Sequence, residues 1–278
     1  MIVKELKNFD LAQICRSGQC FRMTMAEEGH FHIIAGARRL EARQRGEICE
    51  FDCDETAFDD FWSGYFDLEL DYGAVLGQIN PRDAYLNQAA AFGSGIRILR
   101  QDLWEMLASF LISQQNNIVR IRRCIENICE AYGERLPDGR GGTYYAFPRP
   151  EALAGLEEDA LMACNLGYRS KYVVRAARSV ISGAFDPEAV GKMPYPKARR
   201  ELLGLYGVGE KVADCICLFG LHHLQAFPVD THIRQVMEAH YKRGFPHRRY
   251  AKVQGIMQQY IFYYELCCSP KLNSSKAN

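Results

Sequence analysis

LGLYGVGEKVADCICLFGLHHLQAFPVDTHIRQVMEAHY, Leu203 to Tyr241, is the stretch whose reading decides the fold. A helix ends near Leu203, LYGVG forms a short hairpin, and a second helix begins at about Glu210. Gly207 and Gly209 remove Cβ atoms where the backbone must turn tightly and where another chain can approach closely. The amides of the turn and of the helix start would then point outward, a docking place for a phosphate. A helix, hairpin and helix of this kind grips one nucleic-acid strand through its backbone without reading sequence. A Gly-x-Gly on its own is most often a turn and nothing more.

Here it has company. Lys211 lies two residues after Gly209, in the first turn of the helix, where a cation opposes the helix dipole and is a poor structural choice. Burial near that positive end is expected to lower the pKa of its amine and make it a nucleophile. Nineteen residues on, Pro228-Val229-Asp230 precedes the helix Thr231 to Tyr241, and Asp230 stands at its N-cap. A capping carboxylate can also face a cationic transition state. His232, just beyond, meets a phosphate or is a plain surface histidine.

Outward from this core, the chain divides by pattern. FRMTM, GHFHIIAG, RRLEARQR and EICEFD read as antiparallel strands, with turns at Glu28-Gly29 and Gly36-Ala37. From about Asp54 the pattern becomes helical, and from Gln101 nearly everything is amphipathic helix at three- and four-residue spacing. The expected fold is α+β: an antiparallel β domain with helices over residues 1–100, an all-helical domain over 101–268, and a polar tail, 269–278, that frays. Acidic residues outnumber basic ones in the first hundred positions and the balance reverses afterwards, which suits a polyanion-binding second part. The eleven cysteines include no CxxC pair and no four-cysteine run of the iron–sulfur kind, so they read as reduced thiols and no metal site is assigned. No apolar run reaches the length of a membrane span and MIVKELKNFD lacks a secretory apolar core, so an intracellular protein is expected.

The combination LxxLxGVGxKVADC…PVDTHI resembles the helix–hairpin–helix DNA glycosylase superfamily, in the branch that carries both the Lys and the Asp. It is most similar to the 8-oxoguanine DNA glycosylase family (the OGG type). Four further segments fall in that family's order: Ser17-Gly18-Gln19-Cys20-Phe21-Arg22-Met23, Ser113 to Arg120, Leu166-Gly167-Tyr168-Arg169, and Gly255 to Phe262.

The resemblance implies a bifunctional glycosylase and abasic-site lyase that flips 8-oxoguanine, preferably opposite cytosine, out of duplex DNA. Lys211 would attack the sugar C1′ and form a Schiff base that supports β-elimination, with Asp230 stabilising the cationic sugar. The base would lie between Phe262 and Cys215, with Gln258 on its Watson–Crick edge and the Gly18 carbonyl on its N7 proton. Gln115, Asn116, Arg120, Tyr168 and Arg169 would fill the gap and hold the widowed cytosine, while Gly207, Gly209 and His232 meet the backbone. No cofactor is required, although the resemblance leaves room for a structural cation at the hairpin carbonyls. The expected partner is double-stranded DNA met by a monomer with no membrane, in the cytoplasm or nucleoid of a prokaryote or the nucleus of a eukaryote. Two departures stand out: Gln115 replaces the first Asn of the family's three-Asn run, and Met23 stands where the family often has Trp.

Two other readings compete. An oxidised-pyrimidine glycosylase of the endonuclease III type usually carries the iron–sulfur cysteines missing here, and lacks the SGQCFR segment. A non-catalytic helix–hairpin–helix binding module would need the glycines but not Lys211 with Asp230.

Overall fold

In the computed structural model, which describes residues 1–268, the first fifty residues fold around one antiparallel sheet. Its strands are β1 (Ile2–Glu5), β2 (Met23–Glu27), β3 (His30–Ala35), β4 (Arg38–Arg45) and β5 (Ile48–Phe51), in the order β1-β5-β4-β3-β2. Alternation decides which face is buried: Phe31, Ile33 and Ala35 of β3 point inward, while His30, His32 and Ile34 are only half-covered. The strand β1 escaped the sequence reading, being four residues long and held by its pairing with β5. The short helix Leu11–Arg16, capped by Asp10, lies between β1 and β2 and buries Leu11 and Ile14 under the sheet. The expected polar tail, 269–278, lies outside the described residues.

The stretch after Asp54 is helical, as expected, but broken into short pieces. AFDDFWSGYF passes through a five-residue π-helical segment, Phe58–Trp62, and its rings close the sheet's core. Phe51, for example, meets Phe58 and Phe66 with ring centroids 5.0 and 5.6 Å apart. Packing does not change partners at residue 100. Tyr72, Leu86 and Ile98 belong to the same core as the later helices, and Ala84–Phe92 lies along the last helix, Gln254–Cys268.

The centre of that larger core is Leu103–Ile112, in which every residue from Trp104 to Ile112 is buried. A helix apolar all round must be enclosed by others. Here Ile118–Tyr132, Ser170–Ile181 and Glu210–Phe219 surround it. The described residues depart from the all-helix expectation in a small hairpin, Arg135–Pro137 with Thr143–Tyr145, and in 3-10 turns at Ala160–Cys164, ended by Asn165 in the left-handed region, and at Gly167–Arg169.

Two buried polar knots join sheet and helices. In the first, Gln19 Oε1 accepts from the Leu99 amide (2.9 Å) while its Nε2 donates to the Arg97 carbonyl (2.9 Å) and to Ser17 Oγ (2.9 Å). In the second, the buried Asp67 carboxylate meets Arg100 Nε (3.0 Å), His222 Nε2 (3.1 Å) and Tyr72 Oη (3.1 Å). His222 follows the helix Glu210–Phe219, so this carboxylate ties the N-terminal residues to the end of the lysine-bearing helix. Burial alone would push the Asp67 carboxyl up, but His222, Arg100 and Tyr72 outweigh it and hold it below its ordinary value of 3.8. A depressed carboxyl stabilises the fold above its unfolded-state pKa, and that contribution disappears as pH falls through the folded value. Asp67→Asn should therefore lower the melting temperature most at neutral pH. The gap from wild type should shrink on acidification below about pH 4, and a gap independent of pH would disprove the charge role.

Candidate active site

The helix Tyr195–Leu203 ends, the chain reverses, and Glu210–Phe219 begins with Gly209 as its N-cap. Gly207 sits at φ +88°, and a Cβ there would lie 2.8 Å from the Tyr172 ring. Gly209 is extended, and nothing lies within 4 Å of where its Cβ would stand. One glycine thus makes the turn and the other leaves the approach to the helix start open. That helix start has no capping side chain, so its amides are free for an anion.

Lys211 is the second residue of this helix, with Nζ 5.4 Å from the centre of the Phe110 ring. Asp230 caps Thr231–His240, its Oδ1 accepting from the Ile233 amide at 2.8 Å. Both side chains line a recess of about 70 Å³ together with Gly18, Cys215, Gln258 and Phe262. Six expected site residues from four separate segments therefore meet in one place. Lys211, Asp230, Gly18 and Phe262 also line a larger cleft of about 940 Å³, which Asn116, Arg120 and His232 share.

Each wall of the recess has a physical cause. Gly18 adopts φ +76°, and a Cβ on it would stand 3.1 Å from Phe262 Cε1, so glycine lets the ring lie against the backbone. Its neighbours are fixed: Gln19 by the knot above, and Ser17 by its carbonyl, which accepts from the buried Gln259 amide. Gln258 donates from Nε2 to the Pro228 carbonyl (3.1 Å). A carbonyl only accepts, which leaves Gln258 Oε1 as the unengaged end, and that buried oxygen has no partner. Burial pushes the Cys215 thiol up to about 11, Lys211 pulling down and Asp230 and Asp214 pushing up, so it is a neutral thiol at neutral pH.

The segment Ser113–Arg120 forms the cleft's opposite bank. Gln115 is exposed and adopts φ +48°, unusual for a residue with a side chain. Asn116 turns back on its own loop, donating to the Ile112 carbonyl (3.2 Å) and accepting from the Asn117 amide (3.0 Å). Asn117 caps the following helix, and Arg120 is exposed along the cleft. Tyr168 is half-exposed, with Oη 3.4 Å from Gln115 Oε1.

Arg169 does not lie as the sequence suggests. It is buried, and its guanidinium donates to the carbonyls of Gln114 (2.7 Å), Gln115 (2.8 Å) and Leu166 (3.3 Å). Its donors hold the loop instead of reaching into the cleft.

Sequence reasoning missed Phe110 and Phe219, whose rings stack at 5.5 Å under Lys211. It also missed Gln259, which anchors Ser17 from the last helix. The family's GxxQxxxF spacing marks Gln258 and passes over its neighbour. Elsewhere, His30, His32 and Glu41 bring donor atoms within 4.8 Å, but Arg39 and Arg140 both pair with Glu41. Two guanidinium charges occupy the space that a cation would need. Among the described residues no helix is long and apolar enough to cross a membrane.

Comparison with known proteins identifies the family. Residues 1–107 match the model of the 8-oxoguanine DNA glycosylase N-terminal domain, and residues 108–254 match that of the HhH-GPD superfamily base excision DNA repair proteins. A probable N-glycosylase/DNA lyase of Methanothermobacter thermautotrophicus is 30% identical over 92% of this chain and 93% of its own. The N-glycosylase/DNA lyase of Saccharomyces cerevisiae is 29% identical over 84% of this chain and 68% of its own. The Clostridium acetobutylicum 8-oxoguanine glycosylase/lyase, solved with double-stranded DNA containing cytosine opposite 8-oxoguanine, is 36% identical. It covers 95% of this chain and 94% of its own, with a TM-score of 0.88. This chain belongs to the HhH-GPD superfamily of base excision DNA repair proteins, in the group that carries the 8-oxoguanine DNA glycosylase N-terminal domain.

Proposed function

We propose that this protein excises 8-oxoguanine from duplex DNA, preferring cytosine opposite the lesion, and then cleaves the strand as a lyase, with Lys211 as nucleophile. The observation that carries the reading is the recess, where a lysine, a carboxylate, a thiol, an aromatic ring and an amide come together. The hairpin amides hold a phosphate and the nucleotide swings out of the stack. Lys211 forms a bond to C1′ as the C1′–N9 bond breaks, and the base departs with the bonding electrons and takes up a proton. Opening of the sugar gives a Schiff base, which acidifies the 2′ carbon. Removal of a 2′ proton then expels the 3′ phosphate. Asp230, fixed as a cap, offers its carboxylate to the cationic sugar.

The walls suit the lesion. The unpaired Gln258 Oε1 is an acceptor for the donors of a guanine-type Watson–Crick edge. Neutral Cys215 and the Phe262 ring can sandwich a flat base. At about 70 Å³ the recess is far below the ~300–1,000 Å³ of an ordinary ligand pocket, so Phe262 must swing away from Gly18 on base entry. Guanine and 8-oxoguanine share a Watson–Crick edge, and N7 tells them apart. It carries a proton only in the lesion, and the Gly18 carbonyl would accept it. With Arg169 committed to its loop, the donors for an unpaired cytosine fall to Arg120. The chemistry needs no cofactor. The Leu205 and Gly207 carbonyls each accept one hydrogen bond and keep a second lone pair, so a cation there would brace the hairpin and take no part in the reaction.

Three substitutions test this reading. Lys211→Gln should reduce single-turnover excision and borohydride-trapped adduct by at least about a thousandfold while duplex binding persists. Substantial excision by that variant would remove Lys211 as the nucleophile. Asp230→Asn keeps a capping side chain but loses the charge, so the rate should fall about a hundredfold with little change in melting temperature. A matching loss of stability would reduce Asp230 to a cap. Gly18→Ala forces a left-handed alanine, at ~1–2 kcal/mol, and pushes the Phe262 ring. It should slow 8-oxoguanine excision more than tenfold, about 1.4 kcal/mol, and leave binding to an abasic duplex nearly intact. Parallel losses on both duplexes would make Gly18 a turn residue only.

A further inference from the structure

Gln114 belongs to none of the roles above, yet it touches two of the elements that perform them. Its Nε2 donates to the Gly207 carbonyl in the phosphate-gripping hairpin at 3.0 Å. Its own carbonyl accepts from Arg169 Nε at 2.7 Å, and Arg169 Nη2 holds the next carbonyl, that of Gln115, at 2.8 Å. Gln115 is thereby kept exposed at φ +48°, a conformation that a free loop would relax. Gly207 is four residues before Lys211, with the tight turn and the helix start between them.

We propose that Gln114 and Arg169 are positioning residues that couple the opposite base, met by Gln115, to the hairpin that carries Lys211. The inference rests on the function proposed above. Arg169 makes the left-handed loop rigid, and Gln114 joins that loop to the turn. A base that seats Gln115 well therefore leaves the hairpin, and the lysine beyond it, in register with the flipped sugar. A base that displaces Gln115 pulls on the Gly207 carbonyl and misplaces the amine. The preference for the opposite base is then expressed in the rate of excision more than in affinity.

The experiment compares wild type, Gln114→Met and Arg169→Lys on duplexes with 8-oxoguanine opposite cytosine or adenine. Single-turnover rates and Kd are both measured. Methionine keeps nearly the shape of glutamine without its donor, and a lysine ammonium cannot span two carbonyls as a guanidinium does. Both variants should lower the cytosine-to-adenine rate ratio at least about fivefold, through slower excision opposite cytosine, with smaller changes in Kd. Gln114 is only half-buried, so its variant decides the matter even if Arg169→Lys fails to fold. An unchanged ratio in folded Gln114→Met overturns the coupling. Loss of the ratio in Arg169→Lys alone also overturns it, because Arg169 would then act on the base directly. Wild-type enzyme that neither excises 8-oxoguanine nor forms a borohydride adduct would instead overturn the parent function, and this inference with it.

Discussion

The side-chain amide of Gln19 is the contact on which the rest depends. It is wholly buried, and it spends both ends on main-chain groups of residues 97–99, where the chain passes from the sheet to the central helix. A buried amide without partners costs on the order of 1–3 kcal/mol per group, so the segments cannot drift apart cheaply. Gln101 adds a reciprocal bond to the Gln19 carbonyl at 2.9 Å. Because Gln19 is fixed, so is Gly18, and a wall of the recess is built from a residue that belongs to neither helix of the hairpin. The loop that leads into the N-terminal sheet is therefore part of the recess.

The two charged groups of the site occupy corresponding positions on two helices. Lys211 is in the first turn of one, where the dipole disfavours its charge, and Asp230 caps the next, where the dipole favours it. The stacked rings of Phe110 and Phe219 form an apolar floor beneath Lys211.

Much of this was legible in the chain. Gly207, Gly209, Lys211 and Asp230 could be read because each sits where local rules give it a meaning: a turn, a cap, or a charge against a dipole. The strands β2 to β5 announced themselves by alternating or β-branched runs. What escaped reading depended on distant partners. The strand β1 exists because β5 is there to pair with it. Arg169 was expected beside the unpaired cytosine, but two carbonyls more than fifty residues away claim it. Phe110 has the spacing of a core residue and is one. That its ring also faces a lysine follows only from how the helices cross.

The bond between Ser17 and Gln259 spans 242 positions of sequence. Gly18 at one end and Phe262 near the other form facing walls of the same recess. A ribosome working from the amino terminus therefore finishes the lysine helix well before it finishes the pocket that the lysine serves. During that interval the growing chain has its hairpin and its lysine but lacks the walls that Gln258 and Phe262 supply. The recess is therefore complete only when the helix Gln254–Cys268, nearly the last part to be made, has docked beside Ser17 and Gly18.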